Sequence, residues 1–327
     1  MFCKNLTQLY ENYNSFLIDL YGVLFDGKDF FKGAIDFLKD MKDSGKKLII
    51  LSNTALISRI CKKRYLLKGL VESVHYDMFI SSGETFRQTL NDHLVGAKTY
   101  FTAFAQNNDV FDESSFLETK SMEKADFIYV GPLNKGERIY TADDLKTKSG
   151  LPISLENLTS IDCHDIQGLD DITKMLDLCL KNNKLLVIVN PDILALESII
   201  VNGYSEKRPV LCQGIVGEFY EKMGGKVLYF GKPYSPIYDF ARKFVSFENA
   251  VMIGDTPWTD ILGGNIAKLD TILTLTGVSG EFLNTMDESL SITEKLDKLN
   301  EEVTKKMTHR NLFDLYQGPT HVIESFA

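Results

Sequence analysis

One carboxylate, that of Asp19, stands where a short apolar segment of the chain gives way to a glycine turn. Residues 16–18 form an apolar triplet typical of a buried strand, and Gly22 permits a sharp turn without a Cβ clash. Because ligands of open parallel sheets collect at the carboxyl ends of the strands, this position predicts a reaction centre at Asp19. Taken alone, Asp19 is better explained as a turn or cap carboxylate.

Three further apolar segments end in polar side chains that are able to do chemistry. These side chains are Ser52 with Asn53, Lys232, and Asp255 with Asp260. Each has a structural explanation as well: a helix N-cap for Ser52, a solvated turn for Lys232 and helix caps for the two aspartates. The interpretation as a site therefore depends on all four strand ends occurring together.

The elements that position these residues alternate between strand and helix patterns. After the first strand, residues 47–51 and 78–80 read as short buried strands, and helical spacing covers residues 31–44 and 85–94. A pattern of this kind predicts a parallel sheet with a polar edge. A short leading helix is expected over residues 6–13.

The same style of pattern is interrupted in the middle of the chain. From about Lys98 the strand-like runs belong to a second α/β region, and the earlier style resumes after Gly225. We therefore predict a core formed by residues 1–96 and 226–327 and an inserted domain at 97–225. The charged segment 281–310 has helical spacing and is assigned no chemistry.

Composition and charge narrow the function classes. The 327-residue chain has a net charge of −9, which is unfavourable for binding nucleic acid or lying on an anionic membrane. A phosphorylated substrate would then need local positive groups or a metal ion. The five cysteines form no C-x-x-C pair, and the five histidines show no metal-ligand spacing.

The ends of the chain and its apolar runs favour a cytoplasmic protein with reduced thiols. The first residues lack a basic leader followed by an apolar run, and no stretch of about 18 apolar residues occurs. We expect neither a signal peptide nor a membrane span.

Together the motifs resemble the haloacid dehalogenase superfamily, in the phosphatase-like branch called class IIA. The residues that carry the resemblance are 16–25, 33–38, 52–53, 81–84, 190–192, 231–233, 254–260 and 275–278. The resemblance implies an α/β fold: a Rossmann-like parallel-sheet core with a second α/β cap domain inserted between the second and third motifs. It also implies phosphoryl transfer to a carboxylate nucleophile.

The resemblance assigns a role to each polar strand end. Asp19 would be the nucleophile that forms an aspartyl-phosphate, and Mg²⁺ would be held by Asp19, Asp255 and the main-chain carbonyl of Tyr21. Lys232 would offset the negative charge around the phosphate, and Asp260 would orient metal waters or Lys232.

The remaining implied contacts concern the phosphate, the cap and the assembly. Ser52 and the backbone N–H of Asn53 would bind the phosphate, and the cap would supply substrate contacts. Candidate cap contacts are Asn190, Asp192 and Gln213, although residues 190–192 are equally well explained as a turn. Relatives of this branch often form homodimers, so a homodimer is expected. Trp258 either packs or stacks on a substrate ring, and the sequence leaves both open.

Tyr21 departs from the pattern of active phosphatases. They carry a second aspartate two positions after the nucleophile, which protonates the leaving group and then activates the hydrolytic water. A tyrosine side chain, with a reference pKa of about 10, donates a proton at neutral pH but is a poor acceptor. A less-characterised class IIA branch reads Asp-x-Trp-Gly-Val here, with an aromatic residue in the same slot.

Two functions are therefore compatible with the sequence. The first is a Mg²⁺-dependent phosphohydrolase acting on a small phosphorylated metabolite, with turnover weakened at Tyr21. The alternative is a catalytically impaired protein that binds a phosphometabolite or metal in a sensing or assembly role. Retention of Asp19, Lys232 and Asp255 favours the enzyme, because binding alone does not require the nucleophile.

Overall fold

A computed structural model describes residues 2–104, 108–112, 114–133, 140–154, 157–201, 204–308 and 312–327. The chain divides into two compact units. The first consists of Met1–Ser52, Ser58–Ser81 and Gly231–Ala327, and the second of Asn53–Ile57 and Ser82–Phe230.

Short strands make up much of both units. In chain order they are β1 (Phe2–Asn5), β2 (Ser15–Ile18), β3 (Lys47–Ser52), β4 (Met78–Ser81), β5 (Thr99–Ala103), β6 (Leu117–Glu118), β7 (Phe127–Val130), β8 (Lys146–Thr147), β9 (Ile166–Gln167), β10 (Leu185–Ile188), β11 (Leu194–Val201), β12 (Tyr204–Leu211), β13 (Lys226–Tyr229), β14 (Ala250–Gly254), β15 (Asp270–Thr274) and β16 (His321–Ser325).

Helices follow most of the core strands. They are α1 (Ala34–Asp43), α2 (Ser58–Leu66), α3 (Ser82–His93), α4 (Asp170–Lys181), α5 (Gly214–Lys222), α6 (Ser235–Ala241), α7 (Leu262–Ile266), α8 (Val278–Asn284) and α9 (Ile292–Thr308). A single π-helical turn, Pro257–Ile261, leads into α7. Across the described ranges, no helix combines the length and apolar character needed to cross a membrane.

The first unit is built on a parallel sheet. Its described strands lie in the order β1-β16-β15-β14-β2-β3-β4, and every neighbouring pair runs parallel. Strands β2 and β14 are adjacent, with Ile18 opposite Ile253, so the residues after both strands emerge side by side. This arrangement confirms the predicted Rossmann-like α/β core.

The second unit has its own parallel sheet, with the described strands in the order β13-β10-β7-β5-β6. Two antiparallel pairs, β11 with β12 and β8 with β9, accompany it. The unit is thus a second α/β structure inserted in the sequence of the first, as the resemblance implied.

The boundaries of the two units differ from those of the predicted domains 1–96, 97–225 and 226–327. Strand β13 was predicted to belong to the core, but it pairs with β10 of the second sheet, with Val227 opposite Leu186. Helix α3 likewise belongs to the second unit. The hydrophobic pattern predicts that a segment forms a strand but not which strand it pairs with. For this reason β13 was assigned to the wrong sheet.

One smaller prediction also needs correction. The leading segment is not one helix, because two 3₁₀ turns, Leu6–Gln8 and Tyr10–Asn12, occupy it after β1. The helical spacing predicted in the charged segment 281–310 is confirmed by α9, all of which lies in this segment together with the end of α8. Residues 309 and 310 lie outside the described part of the chain.

The packing of the first unit's core predicts which side-chain truncations lower the free energy of unfolding. Leu17 on β2 is fully buried and packs with Ile49, Ile80, Met252 and residues of α6. Leu17→Ala should lower the free energy of unfolding by about 2–5 kcal/mol, because it leaves a cavity.

The matched control is Leu67→Ala, since Leu67 is 90% exposed and its truncation should change stability by less than about 0.5 kcal/mol. Urea denaturation followed by circular dichroism measures both variants. Equal losses in the two variants would contradict the packing of Leu17.

Candidate active site

Three buried carboxylates meet at the carboxyl edge of the first unit's sheet. Asp19, Asp255 and Asp260 are 8%, 4% and 1% exposed, and one oxygen of each lies within 4.8 Å of the others. Asp19 directly follows β2, and its N–H donates to the carbonyl of Ile253 at 2.9 Å. The pairing of β2 with β14 therefore fixes the separation of Asp19 and Asp255.

The turn after β14 positions Asp260. Its N–H donates to the carbonyl of Thr256 at 2.9 Å, and its Oδ2 accepts a hydrogen bond from the N–H of Thr256 at 3.1 Å. These reciprocal bonds close the π-helical turn and direct the Asp260 side chain back toward the strand. The spacing of five residues between Asp255 and Asp260 is what allows this geometry.

Lys232 supplies a buried positive charge between two of the carboxylates. Its Nζ lies 2.5 Å from Oδ1 of Asp19 and 2.7 Å from Oδ1 of Asp260, and it donates to the carbonyl of Leu51 at 3.0 Å. The side chain is 2% exposed. The structure therefore brings Lys232 together with Asp19, Asp255 and Asp260, the four charged residues singled out in the sequence.

Two glycines leave room for the Asp255 carboxylate. A Cβ on Gly22 or on Gly277 would overlap Oδ2 of Asp255, and Gly22 also has a positive φ of 79°. The same Oδ2 accepts a hydrogen bond from the N–H of Val278 at 2.6 Å, while Oδ1 accepts one from the hydroxyl of Thr256 at 3.1 Å. Close approach of backbone to carboxylate thus requires glycine at both positions.

Burial controls the protonation of this cluster. Burial raises the pKa of Asp19 well above its usual range, and Lys232 opposes the shift while Asp260 and Asp255 add to it. Burial, followed by repulsion from Asp260, raises the pKa of Asp255 to about 7. For Lys232, burial lowers the pKa, but the charges of Asp19 and Asp260 outweigh burial and raise it overall.

The donor set fits a divalent cation. Three carboxylates and one ammonium leave an excess of negative charge in a buried place, and a divalent cation would neutralise that excess. Oxygen ligands of this kind are those that hard cations such as Mg²⁺ and Ca²⁺ prefer.

Ser52 and Asn53 are adjacent in the chain but belong to different units. Ser52 ends β3, opposite Ser81 of β4, and is 3% exposed. The Asn53 side chain makes its contacts in the second unit, where its Nδ2 donates to Oδ1 of Asp192 at 2.8 Å. This side-chain contact of Asn53 was not foreseen in the sequence, where only its backbone N–H was considered.

Tyr21 lies in an aromatic cluster of the first unit. Its ring packs edge-on against Phe25 with centroids 5.4 Å apart, and its hydroxyl accepts a hydrogen bond from the hydroxyl of Tyr65 at 3.3 Å. Tyr65, on α2, is buried, and burial followed by the neighbouring Tyr21 raises its pKa. Sequence reasoning missed Tyr65, since nothing in the motif spacing connects α2 with the turn after β2.

The candidate cap residues lie near one another in the second unit. Oδ1 of Asn190 accepts a hydrogen bond from the N–H of Asp192 at 2.9 Å, and the carbonyl of Asp192 accepts one from Gly214 at 3.0 Å. Gln213, which precedes α5, is 5% exposed. The hydrogen bond of Asn190 is typical of a turn. A turn was one of the two interpretations of residues 190–192, the other being contact with the substrate.

Trp258 packs within the first unit. Its partly buried side chain contacts an apolar cluster that contains Ile261 of the π-helical turn and Leu299 and Val303 of α9. Helix α9 of the charged segment therefore contributes to the core. Gly277, which sequence reasoning did not assign to the site, lies within the 275–278 motif that carried part of the resemblance.

Comparisons with known proteins identify the family of the chain. The family model of haloacid dehalogenase-like hydrolases matches residues 16–116, and a second HAD-hydrolase-like model matches residues 229–299. The two matches include the polar strand ends on both sides of the insertion. The two models together match more than half of the chain, which therefore belongs to the haloacid dehalogenase superfamily of hydrolases. Its inserted α/β unit agrees with the class IIA fold.

Individual relatives resemble the chain to different extents. The 5'-nucleotidase YutF of Bacillus subtilis (strain 168) is 24% identical over 89% of this chain and 98% of that protein. The sugar-phosphatase AraL of the same organism is 40% identical over 70 residues, which are 21% of this chain and only 25% of AraL. A haloacid dehalogenase-like hydrolase from Brucella suis 1330 shares the fold with a TM-score of 0.68 and 18% identity, covering 99% of this chain and 100% of that one.

The raised pKa of Asp255 predicts how stability depends on pH without metal. The carboxyl has a pKa of about 7 in the folded protein and its ordinary value of 3.8 when unfolded. The folded state thus binds the extra proton, and its stabilising effect is lost as the pH rises toward 7. Metal-free protein should lose up to about 1.4 kcal/mol of unfolding free energy per pH unit from this group.

Urea denaturation between pH 5 and pH 8 in a chelator measures this loss. Asp255→Asn should remove the share that Asp255 contributes, while the share from the raised pKa of Asp19 remains. Glu288→Gln, at an exposed carboxylate, is the control and should keep it. An unchanged pH slope in Asp255→Asn would show that the carboxyl of Asp255 is not the group that titrates.

Proposed function

We propose that this protein is a Mg²⁺-dependent phosphohydrolase that acts on a small phosphorylated metabolite through an aspartyl-phosphate on Asp19. The observation that carries the proposal is the ammonium of Lys232, which lies 2.5 Å from Asp19 and 2.7 Å from Asp260, in a cluster that includes Asp255. The names of two relatives, a sugar-phosphatase and a 5'-nucleotidase, support a small phosphorylated substrate.

Asp19 is the proposed nucleophile. One of its carboxylate oxygens attacks phosphorus, a P–O bond to the enzyme forms, and the ester oxygen leaves with its electron pair. Lys232 holds Oδ1 of Asp19 and opposes the rise in the pKa of this carboxyl that burial causes. Ser52 and the backbone N–H of Asn53 are the proposed donors to the phosphate oxygens.

Asp19, Asp255 and the main-chain carbonyl of Tyr21 are the residues that would hold the metal. Mg²⁺ bound there would offset the charge of the phosphate and of the carboxylates. Asp260 is the proposed positioning residue, because it already contacts Lys232 and is fixed by Thr256. Gly22 and Gly277 leave the space that the Asp255 carboxylate occupies.

Tyr21 determines which half of the reaction is impaired. Its hydroxyl oxygen accepts from Tyr65, so its own proton remains available for donation to a leaving oxygen. A phenol is a poor proton acceptor at neutral pH, so the hydrolytic water has no strong base at this position. We infer that esters with good leaving groups react best, since they need no proton.

The cap is proposed to select the substrate, with Asn190, Asp192 and Gln213 as candidate contacts. We also propose that the protein is cytoplasmic and forms a homodimer. A thermal-shift screen of phosphorylated metabolites with Mg²⁺ present would identify the substrate class, because a bound ligand raises apparent stability whether or not it is turned over.

Replacing the nucleophile tests the activity directly. Asp19→Asn should reduce Mg²⁺-dependent hydrolysis of an activated aryl phosphate to background, because an amide oxygen is a poor nucleophile and carries no charge. Release of the phenol, followed by absorbance, measures the rate. Glu288→Gln is the control and should retain full activity.

If wild type and Asp19→Asn release phenol equally while both bind phosphate analogues, the phosphohydrolase proposal fails. The binding function with a sensing or assembly role would then take its place.

Replacing Tyr21 tests the missing acid–base group. Tyr21→Asp should raise the rate on unactivated alkyl phosphates, by up to roughly 10²–10⁴-fold, because a carboxylate both donates and accepts the proton. Tyr21→Phe, which keeps the ring and removes the hydroxyl, is the matched control and should not gain activity.

Phosphate release is the measurement, and Mg²⁺ affinity of each variant shows whether the site is intact. A Tyr21→Asp variant that binds Mg²⁺ normally but gains no rate would show that another step limits turnover.

A further inference from the structure

A second group of metal-ligating side chains lies in the second unit, outside the proposed active site. Asp162, Cys163 and His164 are consecutive, and one donor atom of each lies within 4.8 Å of the others. Asp177, on α4, contacts the same histidine. The proposed reaction uses none of these residues.

The imidazole of His164 is held on both sides by carboxylates. Its Nδ1 is 2.8 Å from Oδ1 of Asp162 and its Nε2 is 3.0 Å from Oδ1 of Asp177. The Sγ of Cys163 is 3.9 Å from the same Nδ1. Nitrogen, oxygen and sulfur donors thus converge on one side of the ring, while Asp177 occupies the other side.

These separations are close to those of a tetrahedral zinc site. With Zn–N of about 2.0–2.1 Å, Zn–O of about 2.0–2.2 Å and Zn–S of about 2.3 Å, tetrahedral angles place N and O about 3.4 Å apart and N and S about 3.6 Å apart. The oxygen would move away by about 0.6 Å and the sulfur would approach by about 0.3 Å. Side-chain rotation alone supplies shifts of this size.

The backbone already fixes the turn that carries the donors. Asp162 is the N-cap of the 3₁₀ turn Cys163–Asp165, and its Oδ1 accepts the N–H of His164 at 2.9 Å. The hydroxyl of Thr173 on α4 donates to the carbonyl of Cys163 at 3.3 Å. The turn is therefore tied to the helix that carries Asp177, and the donors need no large rearrangement.

Without metal, both ring nitrogens of His164 face carboxylate oxygens, so the ring is most stable with a proton on each. The hydrogen bonds that the ring donates to Asp162 and Asp177 accordingly raise the pKa of His164. A metal ion at Nδ1 would replace one of these protons, and Nε2–H would remain bonded to Asp177. Metal-bound histidines commonly donate their other N–H to a carboxylate, which sets the tautomer and the ring orientation.

Two features of the surroundings oppose metal binding. Burial raises the pKa of the Cys163 thiol, so a proton must leave when the sulfur becomes a ligand. The second feature is the positive charge of Lys222 near Asp162, whose pKa is lowered mainly by hydrogen bonds from the backbone and ring of His164 and to a smaller extent by Lys222. Lys222 Nζ, however, donates to the carbonyls of Thr159 and Ser160 at 3.4 and 2.6 Å and is not held by Asp162 in the structure.

We propose that Asp162, Cys163 and His164 bind one zinc-class divalent ion, with Asp177 positioning the imidazole and water completing the coordination. Sulfur and imidazole donors select Zn²⁺ or Co²⁺ over Mg²⁺, which prefers oxygen. Binding releases the thiol proton and the Nδ1 proton to solvent. The site would fasten the turn to α4, and it does not depend on the proposed phosphohydrolase activity.

Cobalt substitution tests the site through its sulfur ligand. Full-length protein, stripped of metal and then supplied with excess Mg²⁺ for the carboxylate cluster, is titrated with Co²⁺ and followed by absorbance. We expect a thiolate-to-cobalt charge-transfer band, which an all-oxygen site does not give. Asp19→Asn should keep the band, because the Asp19 cluster contains no sulfur.

Single variants locate the ligands. Cys163→Ala should abolish the band, and Cys61→Ala, at a buried cysteine of the first unit, is the matched control and should keep it. Asp177→Asn should keep the band but weaken Co²⁺ binding by about 10–100-fold, the usual effect of removing a partner of a metal-bound histidine. Circular dichroism confirms that each variant is folded.

Several outcomes would overturn the proposal. Absence of the band in folded wild-type protein at saturating Co²⁺ would do so, and so would a band that persists in Cys163→Ala. Unchanged Co²⁺ affinity in His164→Asn would remove the histidine from the ligand set. A Zn²⁺ titration by calorimetry, with Zn²⁺ alone as the probe, should show the same order of affinities among the variants.

Discussion

The ammonium of Lys232 is the interaction on which the site in the first unit depends. It joins three separate parts of the chain, because it contacts Asp19 after β2, the carbonyl of Leu51 on β3 and Asp260 in the turn before α7. An unpaired ammonium at this depth would carry a desolvation penalty of several kcal/mol, which the two carboxylates offset. Removing either carboxylate takes away one of the two charged partners of Lys232, so Lys232, Asp19 and Asp260 are energetically coupled.

The charges around Lys232 also explain why the site fits a divalent cation. Lys232 balances one carboxylate charge, while Asp19, Asp255 and Asp260 together present three. Protonation is one way to relieve the excess, and the raised pKa values of Asp19 and Asp255 show that burial favours it. A divalent cation is the other way, and it keeps Asp19 ionised. The proposed metal therefore serves the nucleophile as well as the phosphate.

Much of the core site was predictable because sheet geometry brings strand ends together. Asp19 follows β2 and Asp255 and Asp260 follow β14, so the parallel sheet of the first unit places these three at one edge. Lys232 follows β13 of the other sheet, so this sheet geometry does not account for its position. Contacts between residues that do not follow a strand were not predictable. The bond of Tyr65 to Tyr21 and that of Asp177 to His164 depend on which helix face packs where, and the partner of β13 depends on sheet order.

The Tyr65–Tyr21 bond has a direct consequence for the kinetics of the proposed reaction. Because Tyr65 donates to the Tyr21 oxygen, the proton of Tyr21 remains for donation, and in the proposed reaction it would go to the leaving group. The second half-reaction needs a proton acceptor for water, and a phenol supplies it poorly. Breakdown of the aspartyl-phosphate then limits kcat for activated esters, whereas kcat/KM still reports its formation. If Asp19 is an intact nucleophile and Tyr21 donates a proton but accepts one poorly, kcat/KM should therefore depend on the leaving group, whereas kcat should not.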